Sequence, residues 1–340
     1  MSSVAIGSYL GASVSSQFVR LCDDIVTLHI TPREQPGNRR MQRGMQMRVG
    51  VGLPTTVPGT SPRTVLEWAR VADGGPFSSV AVLDRIAYDS YDPLIALACA
   101  AGVTERVQLA ATVVVGPLRN TAVLAKSAMS LQQLSGGRLV LGLAVGARED
   151  DYALAGVDYH ARGRRFAAQL ADMRGLWDDG RLDLATGSEA APPMLIGGLS
   201  EQVFGRVARY ASGYIHGGGP PRAFARSADK ARAAWLDAGR PGQPLLWGQG
   251  YFALLPEHAE RGASYLREYY SFTGPFAERI VDGLLRTPQD VVQFISGYAA
   301  AGCDELVLFP TVATLDELEA LTSILREYLG AQVTPSGVLP

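Results

Sequence analysis

From Met47 onward, short apolar runs alternate with longer segments in which apolar residues recur at helical spacing. MRVGVGL (47–53), SSVAVL (78–83), RVQLAATVVV (106–115) and RLVLGLAV (138–145) predict buried strands. So do PMLIGG (193–198), GYIHG (213–217), LLWGQGYFALL (245–255) and DELVLFP (304–310). Helix-start signals punctuate the intervening segments, because first-turn N–H groups need an acceptor or a proline. Asp92–Pro93 opens PLIALACAA and Gly102 closes it; Ser61–Pro62 and Thr287–Pro288 repeat the device. Thr314 with Glu317 spells a capping box before LDELEALTSILREYL, and Thr287 with Asp290 has the same spacing.

Eight strand–helix units between residues 47 and 330 predict an α/β fold, a (β/α)8 barrel of TIM type. Extra material is expected after the fourth strand (147–161) and around the seventh, in EYYSFTGPFAERIVDGLL. An open doubly wound sheet would carry a glycine fingerprint after its first strand, but GVGLPT has Thr55 where the third glycine belongs. The polar segment 31–46 marks residues 1–46 as a poorly ordered N-terminal extension, and 331–340 as a C-terminal tail.

Composition narrows the function classes. The 340 residues are 47% hydrophobic and 19% charged, with a formal net charge of -2, which describes a globular chain with no basic field for nucleic acid or anionic membrane. No apolar run is long enough to span a bilayer, and the N-terminus lacks the basic start of a secretory signal. Cys22, Cys99 and Cys303 are too few and too scattered for a disulfide framework, which places the chain in the cytoplasm.

In such a barrel, reacting groups hang from the C-terminal ends of the strands. Four isolated histidines give no metal-ligand pair, so no metal site is expected. Lys126 and Lys230 fall within predicted helices, which removes Schiff-base chemistry, and GLSEQ at 198–202 lacks the second glycine of a serine-hydrolase elbow. What remains is a barrel poor in its own acid, base or nucleophile, with glycine-rich strand ends suited to a bulky cofactor. The sharpest of these is MLIGGLSEQVF (194–204). Gly197 and Gly198 precede Ser200, the natural N-cap of a helix, so the turn is either an anion site or a tight corner.

GRLVLGLAVGAREDDYALAGVDYHARGRRF, LAATVVVGPLRNTAVLAKSAMSLQQLSGG, IGGLSEQVFGRVARYASGYIHGGG and AGCDELVLFPT occur in order between Met47 and about Leu329. Together they resemble the bacterial luciferase-like flavin- or deazaflavin-dependent oxidoreductases. The resemblance implies a cofactor at the C-terminal mouth of the barrel. With reduced FMN and O2 it implies a monooxygenase acting on a small organic substrate, served by a separate flavin reductase. With a reduced 8-hydroxy-5-deazaflavin coenzyme it implies a hydride-transfer dehydrogenase or reductase. A homo-oligomer is the family expectation, and a non-catalytic flavin-binding barrel is the rival from outside enzymology.

Residue by residue, the resemblance puts the family's bulge, often with a non-prolyl cis peptide, within Ala111, Thr112 and Val113. It sets Gly146 to Tyr152 beside the ring, with Arg148 placed either on a cofactor oxyanion or in a surface pair with Glu149 or Asp151. It turns Gly197, Gly198, Leu199 and Ser200 towards the flavin phosphate. Several relatives have a histidine at the end of the second strand, where this chain has Arg85, which stays protonated and stabilises anions. Asp84 would orient Arg85 or contact substrate, and His216 is the substitute acid or a structural residue. Trp247, Tyr269 and Tyr270 are candidate linings of the substrate pocket.

Overall fold

Eight parallel strands close on themselves in sequence order, β1 pairing with both β2 and β8. The computed structural model describes residues 47–182 and 190–333. The strands are β1 (Arg48–Gly52), β2 (Ser79–Val82), β3 (Gln108–Val115), β4 (Leu139–Ala144), β5 (Met194–Gly197), β6 (Gly213–Ile215), β7 (Leu245–Phe252) and β8 (Glu305–Pro310). All eight lie inside the runs the sequence marks out. The expected extension, 1–46, and the tail from 334 lie outside the described residues.

The helices are α1 (Pro62–Gly74), α2 (Pro93–Ala101), α3 (Thr121–Leu134), α4 (Glu149–Leu154), α5 (Arg162–Asp178), α6 (Glu201–Tyr210), α7 (Pro221–Asp237), α8 (Ala259–Tyr269), α9 (Phe276–Asp282), α10 (Pro288–Ala300) and α11 (Leu315–Val333). The two insertions are α4, ahead of α5, and the α8–α9 pair, ahead of α10. α11 runs past the expected boundary at 330.

Alternation along each strand divides two apolar clusters. Val140, Leu195, Ile215, Trp247, Val307 and Phe309 fill the lumen, whereas Leu139, Leu141, Ile196, Tyr214 and Leu308 meet the helices. Both clusters need close approach: a Cβ on Gly52 would lie 2.1 Å from the Phe309 ring.

The caps form as expected at three helices. Ser61 accepts from Thr64 N–H, Asp92 from Leu94 and Ile95, and Thr287 and Asp290 make a reciprocal capping box. The fourth fails. Glu317 is buried and accepts from the backbone N–H groups of Leu254 (2.7 Å) and Leu255 (3.1 Å), and its oxygen lies 2.9 Å from Nδ1 of His258. Buried loop donors after β7 have a stronger demand for a carboxylate than a helix start open to water. Thr314 is left with a buried hydroxyl that has no partner.

Candidate functional site

Past the ends of the strands the barrel mouth has two contrasting sides. Towards β1, β2 and β7 it is aromatic, built from Tyr88, Tyr251, Tyr265, Tyr269 and Tyr270 in successive ring contacts of 5.1 to 6.0 Å. Towards β3 to β6 it is built from small residues and glycine turns.

The β3 register slips between Ala111 and Val114, and the Thr112–Val113 peptide is cis, at the place the resemblance indicates. The bulge swings Val113 towards the neighbouring strands. Its Cγ1 lies 3.1 Å from where Gly142 would carry a Cβ, and 3.3 Å from where Gly197 would. Ala111 points instead into the helix layer. Gly146 has φ +69°, and a Cβ there would lie 2.7 Å from Val115. Tyr152 is buried, and its hydroxyl donates to the Val145 carbonyl, so it braces the end of β4.

Arg85 is buried at the end of β2, with its guanidinium 4.9 Å from the Tyr88 ring and 5.6 Å from that of Tyr269. Its Nε donates to Asp151 (2.7 Å), and its Nη2 donates to Asp150 (3.1 Å) and the Ala87 carbonyl (3.1 Å). Its Nη1 has no partner. Arg148 pairs with Asp150, not with Glu149 or Asp151, and donates to the Tyr269 carbonyl (2.6 Å) while covering the Phe272 ring. Two cations thus face two carboxylates, and the Nη1 amino group of Arg85 is left over.

Asp84 bonds to β3 and to Arg119 rather than to Arg85. Its oxygens accept from Val115 N–H (2.8 Å) and Arg119 (3.0 Å), so it braces the end of β3. Burial pushes its carboxyl above the usual range, with Arg119 pulling the other way.

His216 packs against Tyr214 and Phe224 in the helix layer, as a structural residue would, and burial pulls its pKa down to about 4. A neutral imidazole with that pKa gives up no proton near neutrality. Tyr214 donates to the Gly198 carbonyl (2.9 Å), and Nδ1 of His216 lies 3.1 Å from the same hydroxyl. The Tyr214 hydroxyl thus links the His216 ring to the Gly198 carbonyl. His216 therefore fixes the Gly198 peptide at second hand.

Gly198 has φ +131°, and Ser200 occupies the N-cap position of α6 without making a capping hydrogen bond. Leu199 and Ser200 are exposed, so the first turn of α6 opens to solvent with its N–H groups uncapped by a side chain. Beside it lie Gly217, Gly218 and Gly219, which the sequence reading passed over although HGGGPP directly follows the sixth strand. Gly217 and Gly219 have nothing within 4 Å of where a Cβ would stand.

Tyr270 meets Tyr251 hydroxyl to hydroxyl at 2.6 Å, and Trp247 lies deep in the lumen with its indole N–H unpartnered. Among the described residues no group of three or more His, Cys, Asp or Glu could hold a metal. A cleft of about 350 Å³ opens at the opposite end of the barrel, beside Met47, Arg48, Ser78 and Tyr328, away from every candidate residue.

Residues 41–301 match the sequence profile of the luciferase-like monooxygenases. The chain belongs to that family. This luciferase-like chain is 29% identical over 206 residues to an uncharacterised protein of Mycobacterium bovis, covering 51% of this chain and 71% of that one. It is 29% identical over 158 residues to the phthiodiolone/phenolphthiodiolone dimycocerosates ketoreductase of Mycobacterium sp. (strain JLS), covering 42% and 41% of the two. The monooxygenase RslO1 from Streptomyces bottropensis shares the fold with a TM-score of 0.69 at 19% identity, over 85% of this chain and all of that one. An F420-dependent secondary alcohol dehydrogenase does so with 0.69 at 16% identity, over 83% of this chain and all of that one. The luciferase-like family consists of oxidoreductases, and the chain is an enzyme.

Open glycine backbone at Gly217 and Gly219, with unpartnered polar atoms on Arg85 at the mouth and on Trp247 below it in the lumen, is a lining that suits a bulky cofactor with polar edges.

Proposed function

We propose that the chain is an FMN-dependent monooxygenase that takes its flavin already reduced and places one oxygen atom of O2 on a small organic substrate. The observation that carries the reading is a mouth that is apolar and aromatic, yet without a side chain that exchanges protons near neutral pH. Arg85 is paired with Asp150 and Asp151, His216 is held neutral, and burial drives the phenols of Tyr251, Tyr265 and Tyr269 upward. Hydride exchange with a carbonyl asks the protein for a proton at the substrate oxygen. Oxygenation asks chiefly for enclosure and a fixed donor.

Reduced FMN, when bound, supplies the electrons that activate oxygen. Gly197, Gly198, Leu199 and Ser200 with the start of α6 hold the phosphate, aided by the helix dipole. Val113 and Gly146 flank the ring, and Arg148 closes its border. The free Nη1 of Arg85 polarises the substrate oxygen, and Tyr270 lines the pocket. A separate reductase delivers the flavin, and the compartment is the cytoplasm, in keeping with free Cys99 and Cys303 and with no described helix apolar and long enough to cross a membrane.

The assembly is a homo-oligomer that uses α2 and α3. α2 is apolar all round, PLIALACAA, with Ile95 exposed, and it packs on α3, which exposes Val123. A helix of that composition belongs under cover.

The likeness to the mycobacterial ketoreductase favours a rival reading, reduction by hydride transfer, for which the resemblance implies a reduced deazaflavin coenzyme. Anaerobic titration with each reduced cofactor, followed by oxygen-uptake measurements, separates the two. Saturable binding of reduced FMN with altered oxygen consumption is expected. Binding of the deazaflavin alone, with oxygen inert, overturns the proposal.

A further inference from the structure

One buried polar side chain of the lumen has no role in the reading so far. Strand β7 turns alternate residues inward, and Trp247 and Tyr251 of that face belong to the lumen cluster. Gln249, between them, is 6% exposed, and its carboxamide oxygen has no hydrogen-bond partner. The Trp247 indole N–H is likewise unpartnered, whereas Tyr251 is satisfied by Tyr270. An unmet buried amide disfavours the fold, and an apolar side chain of equal size would fill the same space without that cost.

The wall of the barrel is notched at this point. β6 stops at Ile215, which pairs with Trp247, while β7 continues to Phe252. Gln249 therefore stands above the end of β6, level with the glycine run. A Cβ on Gly218 would lie 3.3 Å from the Gln249 carbonyl oxygen and 3.9 Å from its Cγ, and Gly217 and Gly219 border open space. An unpartnered carboxamide oxygen and a side-chain-free rim thus share one opening.

We infer that Gln249, with Trp247, reads the imide edge of the cofactor's pyrimidine ring, the adjacent C=O and N–H that flavins and deazaflavins have in common. The inference rests on the flavin or deazaflavin reading above and holds for either. A carboxamide offers a donor and an acceptor side by side, the complement of an imide edge. A lone carbonyl or hydroxyl would satisfy half of it. The indole N–H, a donor only, suits a ring carbonyl.

The test compares binding of FMN and of N3-methyl-FMN, which keeps ring and phosphate but loses the N3 proton, by fluorescence titration. Wild type is expected to bind the methylated analogue about tenfold more weakly. Gln249→Met is expected to lose about tenfold in FMN affinity and to bind both compounds alike. Its unliganded melting temperature should equal or exceed that of wild type, since an unmet polar group has been removed. Equal affinity of wild type for the two compounds, or wild-type FMN affinity in Gln249→Met, overturns the assignment while leaving the cofactor reading intact. A wild-type protein that binds neither FMN nor a deazaflavin overturns both.

Discussion

At His216, burial holds the imidazole near pKa 4 against an ordinary 6.5. The unfolded chain takes up a proton as pH falls through 6.5, while the fold resists until about 4. The stabilisation is therefore complete above 6.5 and lost across that window, by about 3 kcal/mol in all. Urea unfolding at pH 7 and pH 4.5 should show a clearly shallower pH dependence for His216→Gln than for wild type. Arg85→Met should cost about 3–5 kcal/mol in the same assay, because buried Asp151 would lose its cationic partner. A lysine there would not restore the fork that spans Asp150, Asp151 and Ala87. Gly217→Val tests the glycine rim: the position borders open space without a left-handed φ, so stability should move by less than about 0.5 kcal/mol while FMN affinity falls. At this scale the sequence indicated which residues stand at strand ends, Arg85 and Val113 among them. It did not indicate the partners of Asp84, because Arg119 and the Val115 N–H reach it only through the closure of β2 on β3.

Two cap signatures of the same spacing have opposite fates among the elements. Thr287–Asp290 forms its box, and Thr287→Ala should cost about 1 kcal/mol in thermal or chemical unfolding. Thr314–Glu317 does not, because Glu317 is the acceptor for the turn after β7. Glu317→Ala should cost about 3 kcal/mol, well beyond a lost cap, and a value near that of Thr287→Ala would contradict the assignment. Capping is local chemistry, and a motif cannot register a competing donor that arrives from another strand. Strand ends behave in the same way. The apolar run suggested a sixth strand to Gly217, but pairing ends at Ile215, which releases His216 to Gly219 as a loop.

Over the whole molecule, burial of the α2 face against a second copy has a direct check. Ile95→Lys with Val123→Glu should shift the protein to a smaller species in sedimentation while leaving its melting temperature nearly unchanged, since both side chains are exposed in the single chain. A protein that is monomeric before substitution would refute that part of the proposal.

The sequence by itself determined the eight strands, their alternation with helices and both insertions, because hydrophobic period and helix-start chemistry are written in neighbouring residues. Family membership was legible for a related reason: the motifs lie at strand ends in order. Tertiary structure alone decided which charges neutralise one another, which way Asp84 and His216 face, and where the wall opens. Those outcomes depend on distances between residues remote in the chain. Arg85 meets Asp151, Tyr214 meets Gly198, and β6 ends below Gln249 only once the barrel closes.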